Sequence, residues 1–433
     1  MPNQAAMGMS MINVDKSIKA FSEKDALVLR TLAEQVAEIA ARDEQQEKRK
    51  LWYAVNKLEP IRPLVFCDPE NGWNEIILEE ECECESTLAR NIEYTLRKEI
   101  FWGDSMGDDR VIDAVFSLPH VYSADGWGFD SDNKVGDEYG HAYTWIPGLK
   151  DYETDLPKLR IPTLDVDLEA SERILDLVRE TIGQYLKVDL KTAWWWSFGL
   201  TAEFIFIRGL EQFYFDVTDY PKELHKAMSV LRDGYLSKID YLEENGLLTL
   251  NNGNNYVGSG GFGFTDELPA ADYSGHVRTK DMWGFSESQE TISMSPSMFE
   301  EFVFQYQLPI LERFGLNCYG CCEPIDIRWD VVKKTPRLRR VSISAWADIE
   351  KSAKLLEDKY IYSYKPAPSY LARPNIDKDY IRSSLRDFLE KTKGCCVEII
   401  MKDNNTLGNN PDNATEWCRI AREEVDRFCG GVK

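Results

Sequence analysis

Apolar positions in this chain follow two rhythms. In the first half they recur every three or four residues, the spacing that lays one stripe along a helix. Leu27, Leu29, Leu32, Val36 and Ile39 do this within a helix predicted over 22–58, started by Ser22, Lys24 and Asp25. The stretch 41–50 is almost all polar, so that helix is expected on the outside. Glu59 to Pro63 breaks it, and Leu64 to Cys67 reads as a first short buried strand. Further helices are predicted over 86–98, 170–186, 201–215 and 222–245, with strand character over 110–117 and a long loop over 127–145. From about Leu247 the second rhythm takes over. Short apolar runs at 247–250, 338–344, 360–364 and 395–401 alternate with amphipathic stretches at 298–313, 325–333, 349–356, 380–393 and 414–428. Repeated strand–helix units with short links predict an α/β fold with a parallel sheet. No glycine fingerprint for a dinucleotide follows the first strand. At 433 residues the chain suits an eight-stranded parallel (β/α)8 TIM barrel over 61–433, with an N-terminal helical extension over 1–60.

In such barrels the reactive groups sit where the strands end. The densest stretch of that kind is Cys318-Tyr319-Gly320-Cys321-Cys322-Glu323-Pro324, reached after Gly315. Cys321 and Glu323 lie two residues apart and share one side of an extended backbone. A thiolate and a carboxylate aimed into one space suit zinc. The competing reading is two inert buried cysteines, since a free Cys packs like a small hydrophobe. Other strand ends supply Asn251 to Asn255, Glu287 and Gln289, Trp346 and Asp348, Lys365, and Lys402 with Asp403. The glycine-rich run 251–263 lacks the Lys-Ser/Thr of a phosphate loop and reads as a ligand-lining loop. Trp194, Trp195 and Trp196 cannot all face one core, so a flat aromatic wall or tight packing are both open. Cys82 and Cys84 lie in an acidic run before a helix and read as its solvated start.

The net charge of −23 argues against a nucleic-acid partner or an anionic membrane surface. No apolar run reaches membrane-spanning length, and residues 1–16 lack the apolar core of a secretory leader. Ten cysteines, four of them in adjacent pairs, fit a reducing cytoplasm.

Four stretches carry a family likeness: 198–221 with Arg208-Gly209-Leu210-Glu211, 283–296, 319–324, and 402–424 with Asn409-Asn410-Pro411-Asp412-Asn413. From about Arg62 onward the chain resembles the uroporphyrinogen decarboxylase-like superfamily, and within it the corrinoid-dependent methyltransferases. That resemblance implies a methyl group moved from an O- or N-methyl donor, such as a methoxylated aromatic, to the cobalt of a separate corrinoid protein. This chain has no Asp-x-His-x-x-Gly corrinoid motif of its own. The family's zinc is held by His-x-Cys and a later Cys. Here Tyr319-Gly320-Cys321 lacks the His, and no Cys stands near 403–405, so Cys321, Cys322 and Glu323 are the candidate metal ligands. Glu287, Asp348 and Asp403 are the expected catalytic groups. Trp195, Asn252, Asn254, Trp283, Gln289, Tyr319 and Trp346 are the expected substrate contacts. A homodimer is carried as an open expectation. Two other readings stand beside this one: a metal-free decarboxylase or lyase of a polycarboxylate, and a non-catalytic protein that holds a metabolite in the barrel mouth.

Overall fold

The computed structural model describes residues 18–59, 61–129, 132–135 and 143–430. The predicted first helix is two: α1 (Glu23–Ala40) and α2 (Asp43–Asn56), parted at the polar Ala41-Arg42 step. The Ser22 hydroxyl caps α1 by accepting from Asp25 N at 3.0 Å. β1 (Leu64–Cys67) and α3 (Thr87–Phe101) follow. β2 (Val115–Leu118) comes next, then β3 (Val121–Ala124), β4 (Asp132–Val135), β5 (Tyr143–Ile146) and β6 (Leu164–Asp167). The loop predicted over 127–145 lies partly outside the described residues, and β4 and β5 pair within it. α4 (Leu168–Ile182) leads to β7 (Lys187–Leu190). The helix predicted over 201–215 is broken at Gly209, whose φ of +93° no helix accommodates, into α5 (Thr201–Arg208) and α6 (Leu210–Asp219). α7 (Pro221–Glu244) closes this half.

The second half holds a two-residue hairpin, β8 (Tyr256–Val257) and β9 (Gly261–Phe262), and then β10 (Trp283–Ser286). A helical run through a π turn ends in α8 (Gln305–Leu311), followed by β11 (Leu316–Tyr319) and β12 (Leu338–Ile343). The helix predicted over 325–333 is only a turn and a short helix, Trp329–Val332. α9 (Ile349–Leu356), β13 (Ile361–Tyr364), α10 (Lys378–Lys391), β14 (Cys396–Met401) and α11 (Asp412–Gly430) complete the chain.

Six strands form one parallel sheet in the order β1-β14-β13-β12-β11-β10, so the first strand pairs with the last. A second parallel ladder joins β2 to β7. The segment 247–250, predicted as a strand, joins no ladder. Four apolar residues do not by themselves tell a strand from an extended link.

Side chains occupy both edges of the six-stranded sheet. On β1, Asp109 Oδ2 accepts from Val65 N at 2.8 Å and Asp108 Oδ2 from Cys67 N at 3.0 Å, while Asp109 N donates to Val65 O at 2.7 Å. On β10, the Asn251 amide both accepts from Trp283 N (2.9 Å) and donates to Trp283 O (3.0 Å). Phe198 N donates to Phe285 O at 2.9 Å. Buried backbone groups left unpaired are costly, and these contacts satisfy them where no neighbouring strand does.

The β8–β9 hairpin packs against the sheet. A Cβ at Gly258 would sit 2.8 Å from the Cys318 Cβ, one at Gly260 2.7 Å from Ile400 Cγ2, and one at Gly261 2.4 Å from the Arg340 guanidinium. Only glycine lets the hairpin lie that close to β11, β12 and β14. Beneath it Arg340 is fully buried and pairs with Glu398 at 2.9 Å, and Asn56 at the end of α2 donates to Phe262 O and Phe264 O. The N-terminal helices thus help seat the hairpin.

Candidate active site at the strand ends

Four strand ends and the hairpin meet around Cys321. Its Sγ lies 3.5 Å from Cys322 Sγ and 3.3 Å from the Ser259 hydroxyl, which the hairpin carries in. Lys402, at the end of β14, donates to the same Ser259 oxygen at 3.3 Å and pairs with Asp403 at 2.9 Å and, more loosely, with Glu70 at 3.7 Å. Cys322 Sγ reaches Asp403 Oδ2 at 3.5 Å. The Cys321 thiol is pulled below its ordinary value, by the hydrogen bond from Cys322 first and the Lys402 ammonium second, against burial. Cys322 is pushed up correspondingly, by the same hydrogen bond first and burial second. Burial opposes the charge on Lys402, but Cys321, Asp403 and Glu70 together raise it well above the ordinary lysine value. A lowered thiol and a raised ammonium are bridged by the Ser259 hydroxyl.

A second group adjoins the first through residues 321–323. The Glu323 carboxylate is fully buried and accepts from Cys321 N and Ser288 N, each at 2.9 Å. It therefore ties the turn after β11 to the turn after β10. Glu287, also fully buried, takes a hydrogen bond from Ser197 Oγ at 3.1 Å and from Gln289 N at 3.0 Å. Burial, then the neighbouring Glu290, Glu323 and Cys321, raise Glu287 well above the carboxylate range. A carboxyl group raised this way near a lowered thiol is a candidate proton donor. Tyr319 lies at the back of this group, its hydroxyl donating to Gln307 Oε1 at 2.7 Å.

The remaining sequence candidates are placed elsewhere. Asp348 is exposed and caps α9 by accepting from Lys351 N, and Trp346 is 79% exposed. Asn252 donates to Leu268 O and Asn254 to Val111 O, so both brace the hairpin loop. Trp283 is buried and donates to Gly263 O, and Trp195 packs on Phe198 and Phe314. Trp195, Trp283 and Asn254 nonetheless line a cavity of about 430 Å³ between the β2–β7 ladder, the β10 edge and the hairpin. Cys82 and Cys84 belong to a helix start: Glu93 of α3 accepts from the backbone N–H groups of Glu83 and Cys84. Ser259 and Glu70 are the partners that sequence reasoning missed. The signal for Ser259 was a lone hydroxyl among Gly258, Gly260 and Gly261, where close approach of backbone was legible. Glu70 lies three residues past β1 and carried no pattern.

Zinc can be checked against these side chains. Cys321, Cys322 and Asp403 are neighbours, but Glu323 is committed to backbone N–H groups and the Lys402 ammonium stands beside Asp403. Among the described residues, no three His, Cys, Asp or Glu side chains are grouped so as to hold a metal ion. The donor set does not fit a zinc centre.

The fold and site define an α/β protein with a parallel sheet and a thiol–carboxyl cluster at its strand ends. No family model matches the chain, and no curated protein matches it. Among solved structures, a methyltransferase from Methanosarcina mazei is similar at a TM-score of 0.47 and 11% identity, over 88% of this chain and 99% of that one. No helix among the described residues is long and apolar enough to cross a membrane.

Proposed function

We propose that the protein is a methyltransferase acting in a reducing cytoplasm, passing a methyl group from an O- or N-methyl donor to the cobalt of a separate corrinoid protein. The six-stranded sheet and the β2–β7 pair are read as the staves of one eight-stranded barrel, interrupted at the two edges that side chains cover. What carries the proposal is Glu287: a fully buried carboxyl group raised well above its ordinary range, near the lowered Cys321 thiol at the strand ends. In the proposed reaction the bond between methyl carbon and heteroatom breaks, and its electron pair stays on the oxygen or nitrogen. The methyl group passes to the reduced cobalt, which supplies the pair for the new bond. Glu287 gives its proton to the departing heteroatom, so alcohol or amine leaves neutral. Burial, with Glu290, Glu323 and Cys321 after it, raises Glu287, and Ser259 and Lys402 hold Cys321 in place. The test is anaerobic mixing of the purified protein with a reduced corrinoid protein and methoxylated aromatics. A methyl-cobalt absorption spectrum is expected, and its absence with every O- and N-methyl donor would overturn the reading. Metal analysis of the same preparation, with Cys321→Ser beside it, checks zinc separately.

One observation favours the decarboxylase reading. Lys191 and Lys365 both lie at strand ends, each lowered to about 8 by burial. Buried ammonium groups of that kind hold carboxylates. Carbon dioxide released from a polycarboxylate, without a corrinoid protein, would decide for it.

A further inference from the structure

The cavity of about 430 Å³ beside the hairpin is lined by Glu99, Arg110, Asp113 and Lys191 as its charged groups, with Trp194, Trp195 and Trp196 among its aromatic ones. Three of the four charges are spent. Arg110 pairs with Glu99, and Asp113 pairs with Arg49. Lys191 is different. Its ammonium donates to Asn255 Oδ1 at 2.8 Å, and among the described residues it has no carboxylate within ion-pair distance. The acids nearest to it are otherwise engaged: Asp189 accepts from Ser117 Oγ and pairs with Lys187, and Asp113 holds Arg49. A cation held in a partly desolvated wall without a counter-charge is costly to keep. The cost is recovered when a ligand brings the anion. The rest of the wall sets the ligand's shape. Trp196 stands edge-on to Phe285, and Trp194 stacks on His120 and donates its Nε1–H to Leu247 O. Rings fixed in this way present rigid flat surfaces, which planar ligands match.

We infer that this cavity binds a planar aromatic carboxylate, with the carboxylate paired to Lys191 and the ring against the tryptophan wall. The inference names a substrate class for the proposed enzyme and rests on that reading only for the word substrate. Binding itself needs neither methyl donor nor corrinoid protein. Tyr256, Val257 and Gly258 of the hairpin also line the cavity, and the next hairpin residue, Ser259, touches Cys321. The hairpin thus separates the cavity from the thiol–carboxyl cluster by a single residue step. Lys191 acts here as a specificity-determining residue.

The test is isothermal titration of the whole chain with benzoate and with benzamide, its neutral isostere. At pH 7 benzoate is expected to bind at least about tenfold more tightly. Lys191→Met should abolish that preference, and Lys191→Arg, which keeps the charge, should retain it. Burial lowers the free Lys191 ammonium to about 8, so the preference should fall as pH rises through that value. The neighbouring charged groups are Asp189, Lys187 and Asp113, of which Asp189 pairs with Lys187 and Asp113 with Arg49. The pH series on the unaltered protein stands even if Lys191→Met fails to fold, which circular dichroism reports. Equal affinity for benzoate and benzamide, a preference that survives Lys191→Met in folded protein, or no binding of benzoate at millimolar concentration would each overturn the inference. Benzoate binding together with no methyl-cobalt from any O- or N-methyl donor would leave it standing and sink the methyltransferase reading.

Discussion

Two pairs of adjacent cysteines occupy opposite ends of the same parallel sheet. Cys395-Cys396 precedes and opens β14, whereas Cys321-Cys322 follows the end of β11. In sequence the pairs are alike; in chemistry they are not. Cys395 donates toward Ala353 O and Cys396 toward Val55 O, and burial pushes them up to about 11 and about 12. They behave as small hydrophobes. At the carboxyl end, Cys321 has a thiol donor on one side and a hydroxyl backed by Lys402 on the other, and is shifted down. The lesson is that a parallel sheet is chemically polar. Its carboxyl ends open into loops that bring donors and cations from distant segments, while its amino ends close onto helices.

That contrast can be broken most severely through Glu287. Glu287→Gln keeps the shape but removes the proton, and methyl transfer is expected to fall about 100- to 10,000-fold in initial rate. Cys396→Ser at the other end should leave the rate within about twofold. A similar rate for the two variants would erase the distinction. Next in size is thiol reactivity. At pH 7 iodoacetamide, followed by peptide mass spectrometry, should label Cys321 at least about 100 times faster than Cys396, which is similarly buried, because only the thiolate reacts. Lys402→Met should shrink that ratio, since it removes a cation facing the thiolate. A ratio near one in the unaltered protein would mean that the loops do not activate the carboxyl end.

The smallest expected effect is on stability. Glu70 is raised to about 7, chiefly by burial. The folded protein therefore holds that proton more tightly than the unfolded chain, whose glutamate titrates near 4.5. Its contribution is complete below pH 4.5 and is lost as pH rises through about 7. Thermal melting should drop by a few degrees over that interval, and Glu70→Gln should flatten the slope. The cysteines at the amino end titrate far above this window, so Cys395→Ser should leave the slope unchanged.

Much of the scaffold was readable from local pattern. Strands at 64–67, 338–343, 361–364 and 396–401, and helices such as Ile349–Leu356, followed from short apolar runs between amphipathic stretches. The errors share one cause. The strand expected at 247–250 did not form a ladder, because Asn251 gives its side chain to the β10 edge and the chain then turns into the hairpin. The helix expected over 22–58 broke at Ala41-Arg42, and the one expected over 201–215 broke at Gly209. Periodicity reads which face is apolar and does not read which edge needs a partner.

The site divides in the same way. Sequence alone determined that thiols and carboxylates cluster at residues 321–323, 287 and 403, since strand ends follow from the alternation of elements. Only the tertiary structure decided what each of them does. It turned Glu323 onto two backbone N–H groups, left Asp348 capping a helix, and brought Ser259 from a glycine hairpin and Lys402 from β14 to the side of Cys321. The reason is physical: a protonation state depends on burial and on charges within a few ångströms, and those neighbours come from segments some sixty to eighty residues away.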